Sequence, residues 1–310
     1  MLRSGLRAAL LHASRRGSVR YAVERAPVSR GVVKRFVAGD VVGDAVRVSS
    51  ELVAAGLAVS LDHLGEDTTE PAHAEAAAAA YVTLLGLLRQ AGLAARVEVS
   101  VKLSAVGQSL DRALAIDLAR RVCVAAADAG TTVTLDMEDH TTTDPTLETL
   151  RELRADFPWV GVALQAYLRR TEADCHDLAV AGSRVRLCKG AYDEPESVAF
   201  SRSQDVDDSY RRCLAILMAG DGYPMVATHD PAMIAEAQRL VATQRRGPDS
   251  YEFQMLYGVR PEEQVRLSGE GALVRVYVPY GSDWYGYLMR RLAERPANMR
   301  FFLRSLVSRG

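Results

Sequence analysis

The chain has 310 residues, nearly half of them apolar and a quarter charged, with a formal net charge of −1. That balance suits a folded protein with a large core, argues against a disordered or fibrous chain, and gives no global electrostatic reason to bind nucleic acid. The four cysteines form no C-x-x-C pair, and no run of about 18 to 20 uncharged apolar residues could span a membrane; a reduced, cytoplasmic protein is expected, with any membrane contact peripheral, at the inner membrane face.

Residues 1–35 carry nine Lys or Arg against one acid, Glu24. Two readings stay open for this segment: a mitochondrial-type presequence, or a basic helical arm that packs on the domain or on an acidic surface. The domain itself is expected to occupy 36–310. A helix is predicted over 37–56, and from there β-rich apolar runs alternate with helical patterns. The predicted strands are 58–62, 96–103, 132–136, 161–166, 184–188, 224–228, 251–256 and 273–278. Between them, apolar residues recur at helical spacing over 70–91, 110–129, 144–155, 171–181, 205–219 and 231–243. Strict alternation implies parallel strands joined by helical crossovers, and eight such units close a barrel. A doubly wound dinucleotide fold would need a glycine-rich turn after the first strand, where 60–66 offers only Gly65.

Active sites of such barrels lie at the C-terminal ends of the strands. The polar residues expected there are Asp62, Lys102, Asp136 with Glu138, Gln165, Arg186 with Lys189, Thr228 with His229 and Asp230, Glu252 with Gln254, and Tyr277 with Tyr280. Cations and anions crowded on one rim must pair with each other or await a charged ligand, because a lone buried charge costs several kcal/mol. Lys102 could serve as a Schiff-base nucleophile, making the chain a lyase, or as a fixed positive charge; Asp136 and Glu138 would hold it protonated and favour the second use. Gly190, after Arg186 and Lys189, lets backbone approach a ligand. His229 is a candidate base, and the histidines show no metal-ligand spacing.

The last predicted helix lies within 281–296, with Ser282 or Asp283 as its cap and Pro296 at its end. Tyr287 precedes Arg290 by three residues and Arg291 by four, so it shares a face with each, while the two arginines diverge by about 100°. Planar guanidiniums match a carboxylate, and a position directly after the eighth strand brings both to the barrel mouth.

The motifs VSLDHLGE at 59–66, SVKLS at 100–104, LDME at 135–138, LQAY at 164–167, RLCKGAY at 186–192, ATH at 227–229, YEFQML at 251–256 and YLMRR at 287–291 follow one another in an order that resembles the proline dehydrogenases, in particular the stand-alone bacterial type. The resemblance implies a distorted (β/α)8 barrel with FAD at the strand ends and a final helix over the mouth. It further implies oxidation of L-proline to Δ1-pyrroline-5-carboxylate, electrons passed to a quinone, and a separate pyrroline-5-carboxylate dehydrogenase to consume the product. By that resemblance Lys102, Arg290 and Arg291 clamp the carboxylate, while Tyr277, Tyr287 and Leu256 wall the ring. Asp136 organises the pocket, Arg186 lies near the flavin, and Met137, Gln165, Lys189, Gly190, Ala191, Thr228 and His229 hold FAD. No dedicated base for the substrate ammonium is evident, so activity is expected to rise with pH. Asp193 stands where many bifunctional relatives have Trp, which leaves the local cofactor contact open. Tyr277 favours proline over hydroxyproline, because a smaller side chain there would make room for a ring hydroxyl.

Overall fold

The structure, a computed structural model, describes residues 33–294. Eight parallel strands pair in sequence order, β1 with β2 through β7 with β8, and β8 returns to β1 to close the barrel. They are β1 (Ala58–His63), β2 (Val97–Val101), β3 (Val133–Leu135), β4 (Gly161–Gln165), β5 (Arg184–Cys188), β6 (Tyr223–Ala227), β7 (Glu252–Leu256) and β8 (Val274–Tyr280). The helices are α1 (Val42–Ala54), α2 (Pro71–Gln90), α3 (Arg112–Ala129), α4 (Thr143–Arg154), α5 (Thr171–Leu178), α6 (Ser203–Ala219), α7 (Pro231–Thr243), α8 (Pro261–Gly269) and α9 (Trp284–Glu294).

Local chemistry sets several boundaries. Asp111 caps α3 by accepting from the Leu114 N–H at 3.0 Å, and Gly130 ends it in the left-handed conformation. Asp230 caps α7 by accepting from Ala232, ahead of Pro231 at the first helical position. The helix expected over 37–56 begins at Val42, because the Ala38 N–H donates to the Pro279 carbonyl and the Gly39 carbonyl accepts from Gly281. Those two bonds hold the chain extended along the end of β8. Strand β2 stops at Val101, so Lys102 opens the following turn.

Apolar and polar residues alternate along β1, β2 and β3. Val59, Leu61, Val97, Val99, Val101, Val133 and Leu135 face the helices and join one continuous core. Their neighbours Ser60, Asp62, Glu98, Ser100, Thr134, Arg186, Glu252, Gln254 and Arg275 are buried and polar, and hydrogen bonds between them cross the barrel interior. The core of apolar packing is therefore the layer between sheet and helices, while the barrel lumen is an ion network.

A second apolar cluster joins Val33, Phe36 and Val37 to Leu64 and to Tyr285, Tyr287, Leu288 and Met289 of α9, so the helical turn at 33–36 packs against the helix over the mouth. Gly258 accepts this approach, since a Cβ there would lie 1.8 Å from the Arg35 carbonyl oxygen. The basic segment before residue 33 and the expected helix end at Pro296 lie outside the described residues. No described helix is long and apolar enough to cross a membrane.

Candidate active site

At the C-terminal end of the barrel, Asp62, Lys102, Asp136, Arg186 and Tyr277 form one hydrogen-bonded group. The Lys102 ammonium donates to both oxygens of Asp62, at 2.7 and 2.6 Å, and lies 3.8 Å from Asp136 Oδ2. Arg186 donates from Nε to Gln254 (2.5 Å), from one terminal nitrogen to Asp136 Oδ1, and from the other to Ser60 (3.2 Å), with Glu98 beyond it. The Tyr277 hydroxyl donates to Asp136 Oδ2 at 2.6 Å, and its ring lies against the Arg186 guanidinium. Asp136 is thus faced by Lys102 from the turn after β2, Arg186 from β5 and Tyr277 from β8.

These contacts decide the state of Lys102. Burial alone would lower its pKa, but Asp62 and Asp136 outweigh that and hold it above the usual lysine value. A protonated amine has no lone pair for a carbonyl carbon, so these contacts suit Lys102 to a fixed positive charge better than to a Schiff base. Burial pushes the Asp136 carboxyl up against the pull of Arg186 and Lys102.

Deeper in the lumen, Glu98 is held down to about 2: burial raises it, but Arg275, Arg184 and Arg186 together prevail. Glu252 and Gln254 do not reach the rim as the sequence suggested. Glu252 opens β7 at the opposite end, where it pairs with Arg275, and Gln254 bridges Glu252 to Arg186.

The arginines of α9 separate as the helical period requires. Arg290 turns toward the β1–α2 loop, where two of its nitrogens donate to the two oxygens of Glu66, and its guanidinium lies 5.7 Å from the Tyr192 ring centroid. Arg291 lies over the ring of Tyr287, 5.2 Å from its centroid. Tyr287 is buried and Tyr277 packs against its cluster. Leu256, at the end of β7, donates its N–H to His229 Nε2 at 2.8 Å, which places the imidazole proton on Nδ1 and engages the nitrogen that a base would use.

Around the other half of the mouth, Gln165 donates to the Met137 carbonyl at 3.4 Å while its own Oε1 is buried with no hydrogen-bond partner. Lys189 is bracketed by Asp207 and Asp230, and Thr228 Oγ1 accepts from the Asp230 N–H. Gly190 adopts φ +105°, and a Cβ there would fall 2.3 Å from the Tyr167 ring. The glycine is therefore required by its own backbone and by Tyr167. Ala191 lies half-buried beside it. The turn beyond is tied down by Glu194, which accepts from the His140 N–H and the Tyr167 hydroxyl.

Sequence reasoning assigned no role to Glu66, and gave Glu138 only as an acid at the rim that would help to keep Lys102 protonated. Burial pushes the Glu138 carboxyl up to about 7, despite two hydrogen bonds from Ser104. Below about pH 4.5 this group is protonated in folded and unfolded chains alike. Between about 4.5 and 7 the folded chain keeps a proton that the unfolded chain releases, so stability falls as pH rises, by about 3 kcal/mol in all from this group. Urea titrations should show that fall reduced in Glu138→Gln; an identical pH dependence in both proteins would refute the assignment.

A family model described as Proline dehydrogenase matches residues 45–304. The chain is 41% identical over 281 residues to "Proline dehydrogenase" of Deinococcus radiodurans, covering 89% of this chain and 90% of that protein. It is 37% identical over 276 residues to "Proline dehydrogenase 1" of Bacillus subtilis, covering 89% and 91%. Among solved structures, proline utilization A of Bdellovibrio bacteriovorus, inactivated by N-propargylglycine, shares the fold with a TM-score of 0.80 at 24% identity; the match covers 91% of this chain and 34% of that one, so this chain spans about a third of its length. With the closed eight-stranded barrel and the matched length of the chain in agreement, the protein belongs to the proline dehydrogenase family.

Proposed function

We propose that the chain oxidises L-proline to Δ1-pyrroline-5-carboxylate with FAD as cofactor and a quinone as electron acceptor, residues 36–310 forming the catalytic barrel and 1–35 an arm. The observation that carries this reading is the group of Lys102, Asp136, Arg186 and Tyr277 at the mouth, beneath a helix that brings Arg290 and Arg291 over it.

The residues present fit the cofactor. Gln165 Oε1 is a buried acceptor lacking a donor, which a heterocycle with an N–H on its edge would supply. Met137, Gly190, Ala191, Thr228 and His229 border the same half of the mouth. Lys189 would meet a phosphate by exchanging one of its two aspartates. When bound, FAD supplies the two-electron acceptor for hydride from the substrate carbon next to nitrogen.

The chain's own part is to bind and orient. Lys102, Arg290 and Arg291 present three cations to one carboxylate, and Glu66 occupies only two of the five N–H donors of Arg290, leaving the others for substrate. Tyr277, Tyr287 and Leu256 supply the walls, with the Tyr277 hydroxyl anchored on Asp136 and its ring narrowing the pocket against a ring hydroxyl. Asp136 and Asp62 offset the charge of Arg186 and Lys102, so that the site accepts an anion without an excess of repelling cations when empty.

Anaerobic addition of proline to the purified yellow protein should bleach its flavin band, and a quinone should restore it. A colourless protein that FAD cannot reconstitute would exclude this function.

A further inference from the structure

We infer that Ser104 and Glu138 are positioning residues for substrate binding: they hold the β1–α2 loop so that Glu66 presents both carboxylate oxygens to Arg290. The inference rests on the reading of Arg290 as part of the carboxylate clamp.

Three segments meet at Ser104. Its N–H donates to Glu138 Oε2 at 3.1 Å and its hydroxyl donates to Glu138 Oε1, which fixes the turn after β2 against the end of β3. The same hydroxyl oxygen accepts from the Asp67 N–H at 3.3 Å, and the Ser104 carbonyl accepts from the Thr68 N–H at 3.3 Å. Thr68 Oγ1 completes the seam by donating to the Ala105 carbonyl at 3.0 Å. All three bonds from the loop start within two residues of Glu66.

The anchor is needed for two reasons. Asp67 sits at φ 53°, a left-handed conformation that a non-glycine residue keeps only when its surroundings hold it. A loop that turns this way immediately after Glu66 sets the direction of that side chain. Glu138 also stands within electrostatic range of Glu66, along with Lys102 from the end of β2 and Tyr192 from the β5–α6 loop. Above about pH 7, where Glu138 is also charged, the two carboxyls repel, and the hydrogen bonds through Ser104 oppose their separation. Ser104 and Glu138 are both buried, whereas the loop tip at Asp67 is exposed. The buried side of the seam therefore belongs to the barrel and the exposed side to the loop that orients the clamp.

The test uses the FAD-loaded full chain, with proline as substrate and a soluble quinone as acceptor. Ser104→Ala should raise KM for proline about ten-fold, equivalent to about 1.4 kcal/mol, with kcat within about two-fold. Ser104→Thr, which keeps the hydroxyl, should restore KM. Deuterium uptake by the amides of 64–70 should rise in Ser104→Ala while that of 186–192 stays constant. Thr68→Val, which cuts the seam from the loop side, should act in the same direction and covers the case in which Ser104→Ala fails to fold. Unchanged KM in both Ser104→Ala and Thr68→Val overturns the inference even if uptake rises, because the seam is then structural only. If the unaltered protein does not oxidise proline, the functional reading fails, and the uptake comparison still decides whether Ser104 holds the loop.

Discussion

Replacing Arg186 by Met is expected to lower stability by about 3 to 5 kcal/mol and to reduce proline oxidation at least about 100-fold. Arg186 is buried and its guanidinium reaches acceptors on β1, β3 and β7 as well as Glu98 on β2. Methionine fills similar volume but leaves the buried carboxylates of Asp136 and Glu98 short of a cation. Since domains are stable by only about 5 to 15 kcal/mol, a loss of this size should show as a large fall in the urea midpoint. Arg186→Lys tests the geometry separately from the charge, because one ammonium cannot reach partners on three strands at once. Arg186→Lys with wild-type midpoint and turnover would show that a point charge suffices and that the cross-barrel bracing has been misjudged.

Replacing Arg290 by Met should raise KM for proline about 100-fold, roughly 3 kcal/mol, with a smaller change in kcat. Two effects contribute: the substrate carboxylate loses a charged donor, and Glu66, only partly exposed, is left as an unpaired anion facing it. The second contribution can be separated. Glu66→Gln alone should raise KM by less, since Arg290 keeps its charge and loses only its orientation. The double change Arg290→Met with Glu66→Gln should recover part of the loss, because the repelling carboxylate is gone. Strict additivity of the two single changes would mean that Glu66 and Arg290 act independently, contrary to their paired hydrogen bonds.

The parts of the fold that carry strong periodicity were legible before any coordinates. Strand 184–188 and helix 231–243 fall where the pattern puts them, because apolar Val185 and Leu187 alternate with arginines in one and a Pro start follows an Asp cap in the other. Helix α8 was not drawn: it is nine residues long and mostly polar, with buried Gln264 and Leu267 as its inward contacts, too few for a periodic signal. At the site, the cationic character of the mouth was readable from Lys102, Arg186, Arg290 and Arg291. Their partners were less so. Asp62 and Lys102 are 40 residues apart, and Arg290 and Glu66 are 224 apart, separations over which a sequence without structure offers no pairing rule. Glu252 was misplaced because a strand running 252–256 has two ends, and residue type does not say which one faces the substrate.

The alternation of apolar and charged residues along the strands also bears on how such a chain can diverge. Deleting one residue from β2 would turn Val97, Val99 and Val101 into the ion-filled lumen and send Glu98, Ser100 and Lys102 out against the helices. Several charges would lose their partners in one step, with no intermediate that keeps the balance. In most barrels, where the strands are apolar on both faces, a register slip exchanges one hydrophobic residue for another and selection has something to repair. Here the strands are closed to insertions and deletions, and length variation among descendants of this chain must collect in the turns at the two ends of the barrel.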